Sequence, residues 1–296
     1  MKKLKRIFAV FFYLLLASGI LGGCGKAASS SAPALSASQG GSKPLKVVTT
    51  IFPEYDWVRE ILGDKADHAE VTMLLDNGVD LHSYQPTADD IIKISDCDLF
   101  IYVGGESDGW VEDALKEAAN KDMQVINLLD VLGKQVKEEE VVEGMEAEEE
   151  ESEDEDEPEY DEHVWLSLKN AETLCNAITD ALEEIDPANK DAYAANAASY
   201  LEKLAALDGE YQTVVDNVAR KTVLFGDRFP FRYLVDDYGL SYYAAFAGCS
   251  AETEASFETI SFLAGKVDEL GLPCVLTMEG AQHKIAETIV QNSAAK

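Results

Sequence analysis

Basic side chains are scarce in this sequence. Lys and Arg number 24 against 56 Asp and Glu, a formal charge of −32. Such a surface repels nucleic acid and suits a divalent cation. Histidine is scarcer still, with 4 in 296 residues, so the surroundings of each one carry weight. Of the 5 cysteines, Cys97, Cys175, Cys249 and Cys274 form no CxxC pair and stand near no histidine in sequence. They read as small buried side chains rather than as zinc ligands or a redox pair, and a Cys249–Cys274 bridge stays open. No His-Glu-x-x-His or Gly-x-Ser-x-Gly grouping occurs, which counts against hydrolytic chemistry. Long hydrophobic runs are also lacking: Ile7 to Leu16 is too short for a comfortable membrane span.

That short run does have company. Lys2, Lys3, Lys5 and Arg6 precede it, and Leu21-Gly22-Gly23-Cys24 follows. The order of basic head, apolar core and cysteine resembles a bacterial lipobox. Residues 1–24 are therefore expected to be a lipoprotein signal, with Cys24 lipidated after cleavage. Residues 25–44, nearly all Gly, Ala, Ser, Pro and Lys, read as a flexible tether because they bury too little to offset their ordering entropy. The acidity is equally uneven. Between Glu138 and Glu162 there are 17 acids and no base, which leaves 39 acids against 24 bases elsewhere. This segment is expected to be a solvated loop.

Elsewhere strands and helices alternate. Leu45 to Phe52, Ala69 to Leu75, Asp98 to Val103 and Gln124 to Leu129 are β-rich runs separated by helical spacings, a pattern of α/β folds with parallel sheets. Helical periodicity returns over Ser167 to Ile185. After Asp186-Pro187 a long helix is expected over 188–221. Strands then follow at Thr222 to Phe225, Tyr242 to Phe246 and Cys274 to Met278. The reading is of two doubly wound parallel-sheet lobes, 45–187 (with the acidic loop 138–162) and 222–296, joined by the helix 188–221.

Two histidines lie in motif-like surroundings. His82 occupies Asp80-Leu81-His82-Ser83-Tyr84-Gln85-Pro86-Thr87, just ahead of a helix that Thr87 and Asp90 can cap reciprocally. His163 occupies Asp161-Glu162-His163-Val164-Trp165-Leu166-Ser167, where carboxylates precede the imidazole and apolar residues follow it. Either carboxylate could orient an imidazole through its free N–H. His68, in a polar turn, reads as an exposed side chain, and His283, at a helix start, as a surface or capping residue.

The lipobox, the two histidine segments and the long mid-chain helix, in this order, resemble the solute-binding lipoproteins of bacterial zinc and manganese ABC transporters. The resemblance covers essentially everything from Cys24 onward. It implies two α/β lobes joined by a rigid helix, a metal site in the cleft between them, and a monomeric, lipid-anchored extracytoplasmic receptor that serves a membrane permease. It also implies that His82 and His163 are metal ligands. The third family position falls on Arg228, which stays protonated and cannot bind a cation, so Asp227 beside it becomes the expected oxygen donor. The family's fourth ligand belongs to a final strand and helix beyond Glu279 to Val290 that this sequence lacks. Two imidazoles with carboxylate oxygens favour Zn²⁺, with Mn²⁺ second. Two other functions remain open: a metal-dependent hydrolase using Glu279 as base, and a surface adhesin built on the same fold.

Overall fold

A computed structural model describes residues 43–76, 78–146, 159–250, 254–278 and 283–294. Cys24 and Glu279 lie outside the described residues, as do the signal segment and nearly all of the tether.

The first lobe runs β1 (Leu45–Thr49), α1 (Phe52–Leu62), β2 (Ala69–Met73), α2 (Ala88–Ser95), β3 (Leu99–Tyr102), α3 (Val111–Lys116), β4 (Gln124–Asn127) and α4 (Leu128–Leu132). Its four strands are all parallel, in the order β2-β1-β3-β4. Val47, Val48, Leu99, Phe100 and Ile101 are buried, the nearly continuous apolar runs expected of strands covered on both faces. The chain leaves β1 toward one edge and returns to its other side at β3. That reversal opens a crevice beyond the carboxyl ends of the strands, where ligands of such sheets bind. Helix α1 already begins at Phe52, where the β-rich run was expected to end, because Pro53 fits the first turn, where no N–H is needed. The buried Glu54 carboxylate accepts the amides of Thr50 at 2.8 Å and Ile51 at 3.2 Å, which ties the end of β1 to the helix start.

Helix α5 (Leu168–Ile185) is capped by Ser167, whose Oγ accepts the Asn170 amide at 3.0 Å. The long helix α6 (Lys190–Asn217) has 28 residues, about 42 Å at the helical rise. Its first half belongs to the first lobe: Tyr193 and Ala197 are buried, and Asn196 donates to the Ile61 carbonyl at 3.0 Å. Its second half touches the second lobe. Tyr211 stacks on Tyr238 at 5.4 Å between centroids, and the Tyr238 hydroxyl donates to Asp208 at 2.9 Å.

The second lobe comprises β5 (Thr222–Arg228), α7 (Arg232–Tyr238), β6 (Ser241–Phe246), α8 (Phe257–Leu270) and α9 (Lys284–Gln291). β5 and β6 pair in parallel, with an irregularity between Phe225 and Arg228. The strand expected at Cys274–Met278 is reduced to a single parallel bridge, Phe225 to Leu276. The reason is local: Pro273 has no N–H to donate, and the Met278 amide is drawn to the Asp227 carboxylate at 3.1 Å.

The acidic segment departs from its expected solvation at both ends. Glu138 bridges Tyr160 in antiparallel fashion, and the Asp161 amide donates to the Lys137 carbonyl at 2.9 Å. Met145 packs with Phe225 and Phe229, and the Glu146 amide donates to the Ala245 carbonyl at 3.0 Å. This stretch therefore crosses from the first lobe to the second, because the few apolar residues among its acids (Val142, Met145) find a cluster there. Residues 147–158 lie outside the described residues.

Candidate metal centre

Three segments converge at the carboxyl ends of the strands. The first follows β2. Asp80 caps a short 3-10 turn by accepting the His82 amide at 3.0 Å. Downstream, the Tyr84 hydroxyl donates to the Asp90 carboxylate at 3.0 Å, and Asp90 and Thr87 form the reciprocal cap expected from sequence. The turn carrying His82 is thus pinned at both ends.

The second segment is the return of the acidic run. Asp161 and Glu162 are each only 2% exposed and His163 only 7%. Burial at this level demands partners; Asp161 and His163 have theirs, whereas the Oε2 atom of Glu162 is buried without a hydrogen bond. One Asp161 oxygen accepts both the His163 amide at 2.8 Å and the ring Nδ1–H at 3.0 Å. Tyr233 from α7 donates its hydroxyl to the Asp161 carbonyl at 2.8 Å. One Glu162 oxygen accepts the Ser107 amide at 2.9 Å, and the other lies 3.4 Å from His82 Nδ1. Burial works to raise the Glu162 carboxyl, but the nearby His82 ring and the hydrogen bonding of Ser107 outweigh it and hold it below its ordinary value. Gly105 makes room for this carboxylate: its φ is +79°, and a Cβ there would overlap the Glu162 side chain.

Carboxylates only accept, so Asp161 draws the His163 ring proton to Nδ1 and leaves its Nε2 as a lone pair. Asp161 stands behind His163, while Glu162 and the Ser107 hydroxyl (2.9 Å) stand behind His82. The two Nε2 atoms then face each other across 3.3 Å. At that separation the two nitrogens either share a proton in an N–H···N hydrogen bond or, with both Nε2 atoms bare, share a cation. Two Zn–N bonds of ~2.0–2.1 Å at a tetrahedral angle give an N···N separation of about 3.3–3.4 Å. The fit to a small cation is close.

The third segment follows β6. Cys249 Sγ lies 4.0 Å from His163 Nδ1, and donor atoms of His82, His163 and Cys249 all lie within 4.8 Å of one another. Among the described residues this is the one grouping of three such side chains. Cys249, expected to be a small buried side chain, is half-buried and stands beside these donors. The loop after β6 carries it to a histidine 86 residues away in sequence, which spacing alone could not reveal. A chemically active residue directly after a parallel strand was the available signal. All four described cysteines are free; Cys97 and Cys175 are buried, whereas Cys274 is exposed.

Asp227 is placed differently from its expected ligand role. Its carboxylate accepts the amides of Arg228 at 2.9 Å and Met278 at 3.1 Å, and it is not part of the donor group. The reason is that β5 runs through Arg228 with an irregularity after Phe225, and there the Asp227 carboxylate is taken by the Arg228 and Met278 amides. Arg228 is the one that enters the cleft, where its guanidinium meets the Asp80 carboxylate at 2.9 Å and the Ser250 carbonyl at 3.4 Å. Burial pushes the Asp80 carboxyl up, but Arg228 and the His82 amide more than compensate and hold it low. His68 and His283 are both exposed.

Behind His82, Asp108 is 3% exposed and accepts the Gly104 amide at 3.0 Å. Burial, reinforced by the Glu162 charge and opposed by that amide, pushes its carboxyl up to about 6.

Residues 47–296 match the ZnuA family, described as the periplasmic component A of a zinc-uptake complex. The chain belongs to this family. Among ZnuA relatives, the high-affinity zinc uptake system protein ZnuA of Bacillus subtilis is 33% identical over 255 residues, covering 85% of this chain and 76% of that protein. The zinc-binding protein AdcA of Streptococcus pyogenes serotype M3 is 30% identical over 258 residues, 85% of this chain but 49% of AdcA. The chain thus spans about half the length of the AdcA relatives it matches. The Zn(II)-bound ZnuA-like domain of Streptococcus pneumoniae AdcA superposes with a TM-score of 0.64 at 28% identity, covering 85% of each chain. Membership in the ZnuA family agrees with the two-lobe α/β architecture.

Proposed function

We propose that the protein is an extracytoplasmic receptor that captures Zn²⁺ between its lobes at His82 and His163 and delivers it to a membrane ABC permease. One observation carries this reading: two imidazoles, each backed by a buried carboxylate, aim their Nε2 atoms at a common point 3.3 Å apart. Family membership and the zinc-binding names of its relatives support zinc as the cargo, with Mn²⁺ as the weaker competitor because imidazole donors suit the softer ion. Cys24 anchors the mature protein to lipid, and residues 25–44 give it reach from the membrane. The receptor binds and releases its ion without transforming any substrate.

Calorimetric titration with Zn²⁺ and then Mn²⁺, on protein lacking residues 1–24, tests the proposal. We expect one tight zinc event that disappears in the His82→Ala/His163→Ala double variant. Weak multiple events, unchanged in the variant, would mean that the acidic segment alone collects cations and would overturn the receptor reading.

A further inference from the structure

We infer that Cys249 supplies a thiolate to the zinc site, making its protein ligands a soft His₂Cys set. The inference rests on the zinc-receptor reading and names a ligand that the histidine motifs do not contain. Its basis is the way the loop after β6 is held.

That loop is fastened on three sides. The Cys249 amide donates to the Glu139 carboxylate at 2.9 Å, so the crossing acidic segment fixes the residue directly. The next carbonyl, Ser250, is held by Arg228, whose other hydrogen bond goes to Asp80 at the start of the His82 turn. One guanidinium therefore ties the cysteine loop to the histidine turn across the cleft. On the third side, Gly248 lies against the His163 ring. A Cβ there would meet ring atoms at 3.2 Å and the Phe229 carbonyl at 3.0 Å, so a side chain larger than glycine's would have to push these neighbours back by a few tenths of an ångström. These contacts leave Cys249 Sγ in the donor group with His82 and His163.

The other donors expected on this side of the cleft are committed elsewhere. Arg228 carries a permanent positive charge, and Asp227 spends its carboxylate on two backbone amides. Zn–N bonds of ~2.0–2.1 Å and a Zn–S bond of ~2.3 Å set donor separations of roughly 3.3–3.6 Å. The donor atoms lie within 4.8 Å of one another, and Sγ approaches His163 at its Nδ1 edge, 4.0 Å away. Meeting that geometry therefore requires the thiol to swing from this edge of the ring toward Nε2 as well as to draw in by about 1 Å. On binding, the Sγ–H bond breaks, its electron pair forms the Zn–S bond, and the proton leaves to solvent. A thiolate also discriminates: it favours Zn²⁺ over the harder Mn²⁺, a preference that a carboxylate in its place would relax.

Cobalt(II) is the probe, because a Co–thiolate bond gives an intense near-ultraviolet charge-transfer band that imidazole and carboxylate ligands do not. Reduced wild-type protein, Cys249→Ser, Cys274→Ser and His82→Ala/His163→Ala are each titrated with Co²⁺. Zinc affinity is then measured by competition with a chelator. We expect the band in wild type and Cys274→Ser and its loss in Cys249→Ser. Cys249→Ser should also hold zinc more weakly by over ~100-fold, beyond the range typical of losing an outer-sphere partner. If the Cys249→Ser variant folds poorly, the wild-type and Cys274→Ser spectra together decide the matter, because Cys97 and Cys175 are buried away from the histidines in the first lobe's core. Cobalt binding that depends on His82 and His163 but lacks the band would overturn the thiolate while leaving the receptor reading intact. So would a band that persists in Cys249→Ser or vanishes in Cys274→Ser. Absence of any histidine-dependent metal binding in wild type would overturn both.

Discussion

Asp161→Asn is the most informative single change outside the ligands themselves. One Asp161 oxygen receives both the His163 amide at 2.8 Å and the Nδ1–H at 3.0 Å, and an asparagine carbonyl of the same shape can keep both contacts. What disappears is the negative charge behind the ring. A charge-assisted hydrogen bond contributes about 1.5–3 kcal/mol and is roughly twice as strong as a neutral one. The substitution should therefore remove on the order of 1–1.5 kcal/mol of support for the proton on Nδ1, and with it part of the basicity of Nε2. Loss of a nearby anion from the cation's field adds to this, so we expect zinc affinity to fall ~10–100-fold, the range seen for partners of metal-bound histidines. Competition with a chromophoric chelator at fixed pH measures the affinity. Thermal unfolding of the metal-free protein checks the fold, which Tyr233 still supports through the Asp161 main-chain carbonyl. Unchanged zinc affinity in a folded Asp161→Asn variant would refute the argument that this carboxylate sets the ring's tautomer.

Other perturbations probe the surroundings of the site. Gly105→Ala forces a side chain into a φ of +79° and into the Glu162 carboxylate, so we expect a loss of at least ~1–3 kcal/mol in urea unfolding; a stability equal to wild type would contradict the packing. Asp108 keeps its proton up to about pH 6 when folded, against 3.8 for the ordinary group. The folded state thus binds more protons between those values, and its stability falls as pH rises through them. Asp108→Asn should remove that penalty, on the order of 3 kcal/mol at pH 7, with the gain fading to nothing below pH ~4; denaturation at both pH values decides. Asp80 is the opposite case. Its carboxyl is held low by Arg228, so the pair's stabilisation is present above the ordinary carboxylate value and is lost as pH falls through the folded one. Because Asp80 is 41% exposed, Arg228→Gln should cost less than ~1 kcal/mol at neutral pH and nothing in strong acid. A much larger loss in guanidinium melts would show that Arg228 supports more than this clamp.

The sequence by itself determined the alternation of strands and helices, the capped turn around His82, the long helix and the two histidines, because each is written in local chemistry. Apolar periodicity, Thr87 facing Asp90, and a single imidazole between carboxylates and a Val-Trp-Leu triplet are all readable within a dozen residues. The acidic run was legible only in part. Its charge predicts solvation, yet Met145 is buried against the second lobe and Asp161 and Glu162 against the histidines, since a few favourable long-range contacts outweigh a segment's average composition. The tertiary structure alone decided the third side of the site. Whether Asp227 or its neighbour faces the cleft depends on the irregular end of β5 and on its long-range partners, the Met278 amide for Asp227 and the Asp80 carboxylate for Arg228. Whether Cys249 is a packing residue or a donor depends on the Gly248 approach to the His163 ring and on ties to Glu139 and Arg228. Those contacts join residues some 20 to 110 positions apart, and no local pattern encodes them.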